Sequence, residues 1–550
     1  MPSHSIVLNR LSFRHPSADR PLIHEQTVTI PFTVVGLIGP NGAGKTTLAG
    51  LIADSLAPSG GTVSVAGTVF AVPQDLPQST RSVAHALGIA HIRRALGRIL
   101  EGGMAEGDLE AVGTDWDIDE RALVALSAMG FETPDACLLD RPVATLSGGQ
   151  AVRVGLAAAR LAGADWTILD EPTNNLDAHG RRSLLDALAG WRGGLLVVSH
   201  DRELLNTVSA ILELRDGRLR LFGGALDAFD EMLALEQAAA RAELSRAESQ
   251  HAKEKHQRVT AQTIADRRVR YGRKMHAQKR EPRMIMNQRK RAQQVSVGKL
   301  TEQMADREEQ ARTAVEEAEA AVRDTGRIRL DLGDTIVPAG RRVLDVGAAL
   351  EVQLVGPERV RLRGCNGAGK STLLEAIRTG GTASLEERAP RVDGGTWSVA
   401  ALVPVGILAQ DDTLTPSATA FEAVRGAVPT VDPHRVRETL AGLELRAAAA
   451  DRRVHALSGG ERLKVALASV LLAEPAPQLL LLDEPTNNLD RESVTVLVHA
   501  LTDYRGALLV VTHDDDFAER AGLTASIDMA SLRGTDGSPQ RGSAEHRARG

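Results

Sequence analysis

Gly39-Pro40-Asn41-Gly42-Ala43-Gly44-Lys45-Thr46 and Gly364-Cys365-Asn366-Gly367-Ala368-Gly369-Lys370-Ser371 spell one loop twice, once in each half of a 550-residue chain. In each copy two glycines separated by four residues precede Lys and a hydroxyl side chain. Each follows an apolar run, Phe32 to Ile38 or Val352 to Leu362, and leads into a helical pattern opened by Thr47 or Thr372. Strand, glycine loop and helix in that order make a cradle for phosphate. Glycines let backbone N–H groups close on the anion, and the helix start adds its positive dipole end. Such a loop belongs at the end of a parallel strand, so the pattern predicts α/β domains, and predicts two of them.

The residue types suit a nucleoside triphosphate with Mg²⁺. Lys45 and Lys370 reach the β- and γ-phosphates, and the Thr46 and Ser371 hydroxyls hold the metal. Downstream, Trp166 to Leu169 and Leu479 to Leu482 read as buried strands that end in Asp170-Glu171 and Asp483-Glu484. Carboxylates at the C-terminal end of a buried parallel strand lie beside the phosphate loop. The first of each pair, Asp170 or Asp483, suits the metal, and the second, Glu171 or Glu484, suits polarising an attacking water. Both pairs continue into Glu-Pro-Thr-Asn-Asn-Leu-Asp.

At this point the chain resembles the ATP-binding cassette proteins, specifically the twin-cassette ABC-F class, over almost its whole length. Leu146-Ser147-Gly148-Gly149-Gln150 and Leu457-Ser458-Gly459-Gly460-Glu461 look like the cassette signature. Gln74 and Gln410 stand at the Q-loop positions, which also touch the metal, and His200 and His513 at the switch-histidine positions. Equivalent residues recur 311 to 325 positions later in the chain, as a duplication requires. The resemblance implies two P-loop cassette domains joined by a long antiparallel α-helical hairpin, with boundaries expected at 1–225, 226–325 and 326–533, followed by a disordered tail over 534–550. It implies ATP and Mg²⁺ as ligands and ATP hydrolysis as the activity.

The resemblance further implies cassettes paired head to tail within one monomer, so that each ATP lies between one phosphate loop and the other cassette's signature. One site then comprises Gly39, Asn41, Gly42, Gly44, Lys45, Thr46, Thr47, Gln74, Asp170, Glu171 and His200 with Ser458, Gly459 and Gly460. The other comprises Gly364, Asn366, Gly367, Gly369, Lys370, Ser371, Thr372, Gln410, Asp483, Glu484 and His513 with Ser147, Gly148 and Gly149. Glu171, Glu484, His200 and His513 carry the catalysis in this scheme. Asp201 and Asp514, next to the histidines, suit orienting the rings as γ-phosphate sensors. The adenine-stacking aromatic of the family falls at His15 or Phe13 in the first cassette, and its counterpart stretch near Thr335 to Val343 has none.

Charge is distributed unevenly. Residues 251–299 hold 15 Lys and Arg against three acids, a net +12 within a chain of net −6, so the remainder carries −18. An acidic body with one basic projection suits contact with a polyanion. Leu226, Phe229, Leu233, Ala240, Leu244 and Ala247 follow spacings of three, four and seven, as do Leu300, Met304, Ala311, Val315, Ala318 and Val322. Two long helices paired antiparallel are therefore expected, broken near Pro282, and about 45 helical residues would span roughly 65 Å. The resemblance makes the ribosome the partner, through rRNA and P-site tRNA. The expected phosphate contacts are Arg267, Arg268, Arg270, Arg273, Lys274, Lys279, Arg280, Arg283, Arg289, Lys290 and Arg291.

Two cysteines give no disulfide framework, and no stretch of 18 apolar residues occurs. A cytoplasmic machine without a membrane domain is expected. The favoured reading is a translation factor of the ribosome, with drug resistance by ribosome protection as one branch. The alternatives are the ATP-binding subunit of a transporter and a DNA-processing ATPase.

Overall fold

The computed structural model describes residues 4–16, 21–103, 105–174, 176–277, 283–322, 330, 332–347, 352–364, 367–380, 382–384, 396–408, 414–445, 447–487 and 489–529. The chain divides into two compact units, one of Met1–Leu226 with Arg327–Gly550 and the other of Asp227–Gly326.

The first unit contains two sheets from each half of the sequence. In the first half, Trp166–Asp170, Gly194–Val198 and Val34–Ile38 form the centre of a six-stranded sheet, flanked by Val69–Ala71 on one side and Ala210–Arg215 with Arg218–Gly223 on the other. All neighbours are parallel except the last pair. In the second half, Leu479–Asp483, Ala507–Val511 and Arg359–Arg363 occupy the same three central places, between Val405–Leu408 and Ala525–Asp528. Gly194–Val198, Leu479–Asp483 and Ala507–Val511 are buried on both faces, which is why they read as Leu- and Val-rich runs without alternation. A small antiparallel sheet accompanies each, with Ile6–Phe13 central in one and Arg342–Gly347 paired to both neighbours in the other.

Register fixes the chemistry. Leu37 and Asp170 both align with Val198, and Leu362 and Asp483 both align with Val511. Phosphate loop, acidic pair and histidine therefore emerge from one edge of each sheet. The run expected as a single strand over Val352 to Leu362 is two strands, separated at Gly356, whose φ is 64°. The left-handed Gly356 turns the chain between them.

The second unit is a helical pair, Leu226–Ala277 and Arg283–Ala321. At 1.5 Å per residue the first spans about 78 Å. Gln237 Nε2 donates to the Ala321 carbonyl at 3.5 Å, and Arg258 and Glu308 form an ion pair at 2.6 Å. The helices thus run antiparallel. Half-buried positions recur at 233, 237, 240, 244, 247, 251, 254, 258 and 261, an alternation of four and three that is a coiled-coil seam. Its inner part holds Leu233, Gln237, Ala240, Leu244 and Ala247, and from His251 outward it carries His251, Glu254 and Arg258.

Candidate functional site

The two phosphate loops adopt matching backbones. Gly39, Gly42 and Gly44 have φ of 155°, 79° and 103°, and Gly364, Gly367 and Gly369 have 150°, 79° and 89°. At Gly39 a Cβ would stand 2.1 Å from the Leu214 carbonyl oxygen, so only glycine fits. Helices Lys45–Ile52 and Lys370–Thr379 start immediately after. Thr46 and Ser371 are exposed at these helix starts, and Thr47 and Thr372 are half-buried behind them.

Lys45 and Lys370 are buried, each with partners among the described residues. Lys45 Nζ donates to the Gly39 and Pro40 carbonyls at 2.9 and 3.2 Å, whereas Lys370 Nζ donates to Gly364 O at 2.6 Å and lies 3.2 Å from His513 Nε2. Burial lowers the Lys45 pKa against the pull of Glu171, Asp490 and Asp170. Both amines are held by their own loop and face the acidic pair.

Glu171 and Glu484 share an unusual backbone, with φ of 47° and 43°. Their N–H groups donate to Val198 O and Val511 O at 2.8 and 2.9 Å, which holds each in a left-handed conformation that an L side chain rarely adopts. His200 Nε2 lies 3.4 Å from Glu171 Oε1, and His513 Nε2 lies 3.4 Å from Glu484 Oε1. Burial raises the Glu171 pKa well above the carboxylate range, and raises Glu484 to about 7, with Lys45 and Lys370 opposing. Burial depresses His200 to about 3 and His513 to about 4, with the neighbouring lysines adding to the effect. Each centre therefore pairs a neutral imidazole with a carboxyl poised to hold a proton near neutrality. Asp170 is also raised by burial, although the Thr46 hydroxyl that bonds it pulls the other way.

Both ring nitrogens of His200, and Oε1 of Glu484, are buried without a hydrogen-bond partner among the described residues. Such orphaned polar atoms beside a glycine cradle and a lysine fit a bound triphosphate. Asp170 and Asp483, with the Thr46 and Ser371 hydroxyls, are oxygen donors of the kind that Mg²⁺ takes.

Gln74 lines a cavity of about 470 Å³ together with Asp170, Glu171, Gly148 and Val152. Ser147 and Ser458 cap helices Gly148–Leu161 and Gly459–Leu471, and each makes a full capping box with Gln150 or Glu461 three residues on. Gly149 and Gly460 pack against the helices that start at Ala178 and Arg491, where a Cβ would meet Gly180 Cα at 2.7 Å or Ser493 Oγ at 2.2 Å. Asp201 and Asp514 accept from Leu204 and Phe517 N–H, so their carboxylates cap the following helices and do not serve as ring orienters. Phe13 is buried and meets His15 edge-on at 6.2 Å. Arg342–Gly347 is the counterpart of Ile6–Phe13, so the stretch corresponding to His15 follows Gly347 and not Thr335; it lies outside the described residues, as do Cys365, Asn366 and Gln410.

The cassettes meet through the backbone of Asn41 and through three side chains, Asp490, Arg215 and Glu492, whose role the motifs alone did not assign. The backbone N–H of Asn41 donates to Asp490 Oδ2 at 2.7 Å, and Arg215 forms an ion pair with Glu492. Asp177 and Asp490 end the two Glu-Pro-Thr-Asn-Asn-Leu-Asp repeats, so the signal was present. Of the basic linker residues, Arg267 and Arg270 are exposed beside exposed Tyr271. Lys279 and Arg280, and the side chains of Arg268, Arg273, Lys274, Arg283, Arg289, Lys290 and Arg291, lie outside the described residues.

Two phosphate loops with matched acidic pairs and histidines, on parallel sheets of equal strand order, define a twin-cassette nucleotide-binding protein. The family profile described as "ABC transporter" matches residues 28–174 and 349–487. The chain belongs to the ATP-binding cassette family, in its ABC-F class. It is 32% identical to the tylosin resistance ATP-binding protein TlrC of Streptomyces fradiae over 93% of this chain and 95% of that one. It is 29% identical to the probable ATP-binding protein YheS of Haemophilus influenzae, covering 92% and 77%. A crystal structure of an archaeal ribosome recycling factor, in complex with a ribosomal stalk protein, shares the fold, with a TM-score of 0.52 and 17% identity over 94% of this chain and 87% of that one. The matched domains are ATP-binding domains, and they imply ATPase activity. No helix among the described residues is long and apolar enough to cross a membrane.

Proposed function

We propose that this chain is a cytoplasmic ATP-driven factor of the ribosome that acts near the tRNA exit site, and that it protects translation from a drug bound at the peptidyl-transferase centre. The observation that carries the reading is the basic antiparallel helical pair lying, in sequence, between two matched sets of nucleotide-site residues. Lys and Arg on such a pair give salt-dependent affinity for RNA backbone without reading bases. The relative named for tylosin resistance, similar over almost its full length, supports the drug-protection branch.

Two composite sites drive the cycle in this proposal. Lys45 and Lys370 neutralise phosphate, Glu171 and Glu484 polarise water, and His200 and His513 hold the γ-phosphate in place. Ser458 with Gly459 and Gly460, and Ser147 with Gly148 and Gly149, close each site from the opposite cassette. Mg²⁺, held by Asp170 and Thr46 or by Asp483 and Ser371, would neutralise charge that builds on the phosphates. Because a cross-cassette contact such as Asn41 to Asp490 sits beside the first phosphate loop, nucleotide content would govern how tightly the cassettes close.

The test is co-sedimentation with 70S ribosomes in ATP at two salt concentrations, using the Glu171→Gln, Glu484→Gln protein. Retention that falls with salt, and that vanishes when the basic residues over 267–291 are neutralised, supports the reading. A closed protein that ignores ribosomes and enriches a membrane protein or DNA overturns it in favour of a transporter subunit or a DNA-processing ATPase.

A further inference from the structure

The strand before the second phosphate loop, Arg359–Arg363, carries three arginines, whereas its counterpart Val34–Ile38 carries no charge. Gly36 aligns with Val197 and Arg361 with Val510, and both valines stand three residues before the histidine of their site. Arg361 is only 5% exposed. Its Nε donates at 2.9 Å to the Thr512 carbonyl, which belongs to the peptide that joins Thr512 to His513. Its Nη1 pairs with the exposed Asp515 carboxylate, which Arg363 also approaches at 3.4 Å. One guanidinium therefore holds the chain just before His513 and two residues after it.

The first cassette fills the same space without a charge. A Cβ at Gly36 would meet Leu205 Cδ2 at 2.6 Å, Ile211 Cδ1 at 3.2 Å and Val208 Cγ2 at 3.4 Å. Counted from the capping aspartates Asp201 and Asp514, Leu205 and Val208 correspond to Ala518 and Ala521. In the sheet, Ser526 pairs with Arg361 where Ile211 pairs with Gly36. Three small residues thus open the room that the arginine occupies, and Asp515 stands where the first cassette has Arg202. Burying a guanidinium sacrifices its hydration, and an apolar filling of similar volume is often as stable. Stability alone gives the arginine no reason to be here; what it supplies is two fixed donors on the histidine loop. That matters because the His513 ring is set by close neighbours, with Nε2 3.4 Å from Glu484 Oε1 and 3.2 Å from Lys370 Nζ.

We propose that Arg361 is a positioning residue of the second site, fixing the Thr512–His513 peptide so that the imidazole stays against Glu484 and Lys370, and that the first site, with Gly36 in its place, turns over without that clamp. This rests on the two-site reading above. The two sites of one chain are then unequal, and the strand behind the phosphate loop carries the inequality.

The experiment measures ATP hydrolysis by the full chain with one glutamate disabled. Glu171→Gln leaves the second site working and Glu484→Gln leaves the first. Arg361→Met should lower kcat about tenfold in the Glu171→Gln protein, with KM changed by less than about twofold, and should change the rate of the Glu484→Gln protein by less than about twofold. Arg361→Lys keeps a cation but cannot fork between the carbonyl and the carboxylate, so it should recover only part of the rate. A second variant separates positioning from packing. Arg361→Gly with Ala518→Leu rebuilds the Gly36 and Leu205 pairing of the first cassette and keeps the interior filled. It should melt close to its Glu171→Gln parent and still show the tenfold loss. Full kcat in that variant reduces Arg361 to packing and overturns the proposal, as do equal kcat losses in the two glutamate backgrounds or a change confined to KM. If neither single-glutamate background turns over faster than the Glu171→Gln, Glu484→Gln protein, the two-site reading itself fails and takes the proposal with it.

Discussion

The Asn41 backbone N–H and the Asp490 carboxylate, 449 residues apart in sequence, are joined by a 2.7 Å hydrogen bond across the cassette boundary. Asp490 is buried and also takes the Ser493 N–H at 2.8 Å. Burial pushes its carboxyl up, yet the Asn41 N–H together with the Ser493 hydroxyl and N–H prevail and hold it below its ordinary pKa. The residue therefore has two separable jobs. Asp490→Ala loses the cap, worth about 1 kcal/mol, and the charge-assisted bond to the phosphate loop, worth roughly 1.5–3 kcal/mol. Asp490→Asn keeps a cap but not the charge. Thermal melting should show the larger drop for Ala and a smaller one for Asn, while both should reduce kcat/KM for ATP, by about tenfold or more. Equal melting losses in Ala and Asn would show that the charge, not the cap, carries the stability.

Replacing either glutamate should separate binding from turnover. Glu171 and Glu484 sit in a strained backbone fixed by Val198 O and Val511 O, so Gln keeps the geometry and removes the base. Loss of a positioned general base costs about 10²- to 10⁴-fold. Single-turnover hydrolysis in the double variant should fall by that order, with nucleotide affinity within a few-fold of the parent. A large loss of affinity would instead assign these carboxylates to holding the nucleotide or its metal.

Much of this architecture was legible because its signals are local. Glycine loops, strands that end in Asp-Glu, and the two Leu-Ser-Gly-Gly runs each declare themselves within eight residues. The helical pair was visible from its apolar spacing, but the seam beyond Ala247 was not, since His251, Glu254 and Arg258 look like solvent-facing residues until Glu308 is opposite. Asp490 went unassigned for a different reason. Its partner is a backbone N–H, which no side-chain pattern encodes. The Asp201 and Asp514 carboxylates were given to the histidines, whereas helix capping, the commoner use of Asp at that place, claims them.

The signature glycines should prove structural as well as functional. A Cβ at Gly149 would sit 2.7 Å from Gly180 Cα, which is backbone and cannot turn aside, whereas at Gly460 the nearest atom is Ser493 Oγ, a rotatable hydroxyl. Overpacking of this kind costs about 1–3 kcal/mol. Calorimetry without nucleotide should therefore find Gly149→Ala less stable than Gly460→Ala. The reverse order would mean that the two helices separate more easily in the first cassette than their contact suggests.

The last prediction concerns pH in the nucleotide- and metal-free protein. His513 has its pKa lowered to about 4 by burial, with Lys370 adding to the effect. Between the ordinary histidine value of about 6.5 and that value, the unfolded chain gains a proton that the folded chain refuses, so stability falls as pH falls. Glu484 is raised to about 7 by burial. Above its ordinary value of about 4.3 the unfolded chain loses a proton that the folded chain keeps, so stability falls as pH rises. Between about pH 4.5 and 6.5 the two slopes oppose each other, and the parent protein should melt at nearly constant temperature. Glu484→Gln removes the carboxyl slope and exposes the histidine slope, so its melting temperature should climb with pH across that window. His513→Gln should show the opposite trend, falling from about pH 4.5 toward 7. The same exchange at Glu171 and His200 should repeat both signs, because burial raises one and lowers the other there as well. If the two single variants share one slope, the carboxyl and imidazole do not titrate as opposed partners, and the neutral pairing inferred for the resting site is wrong.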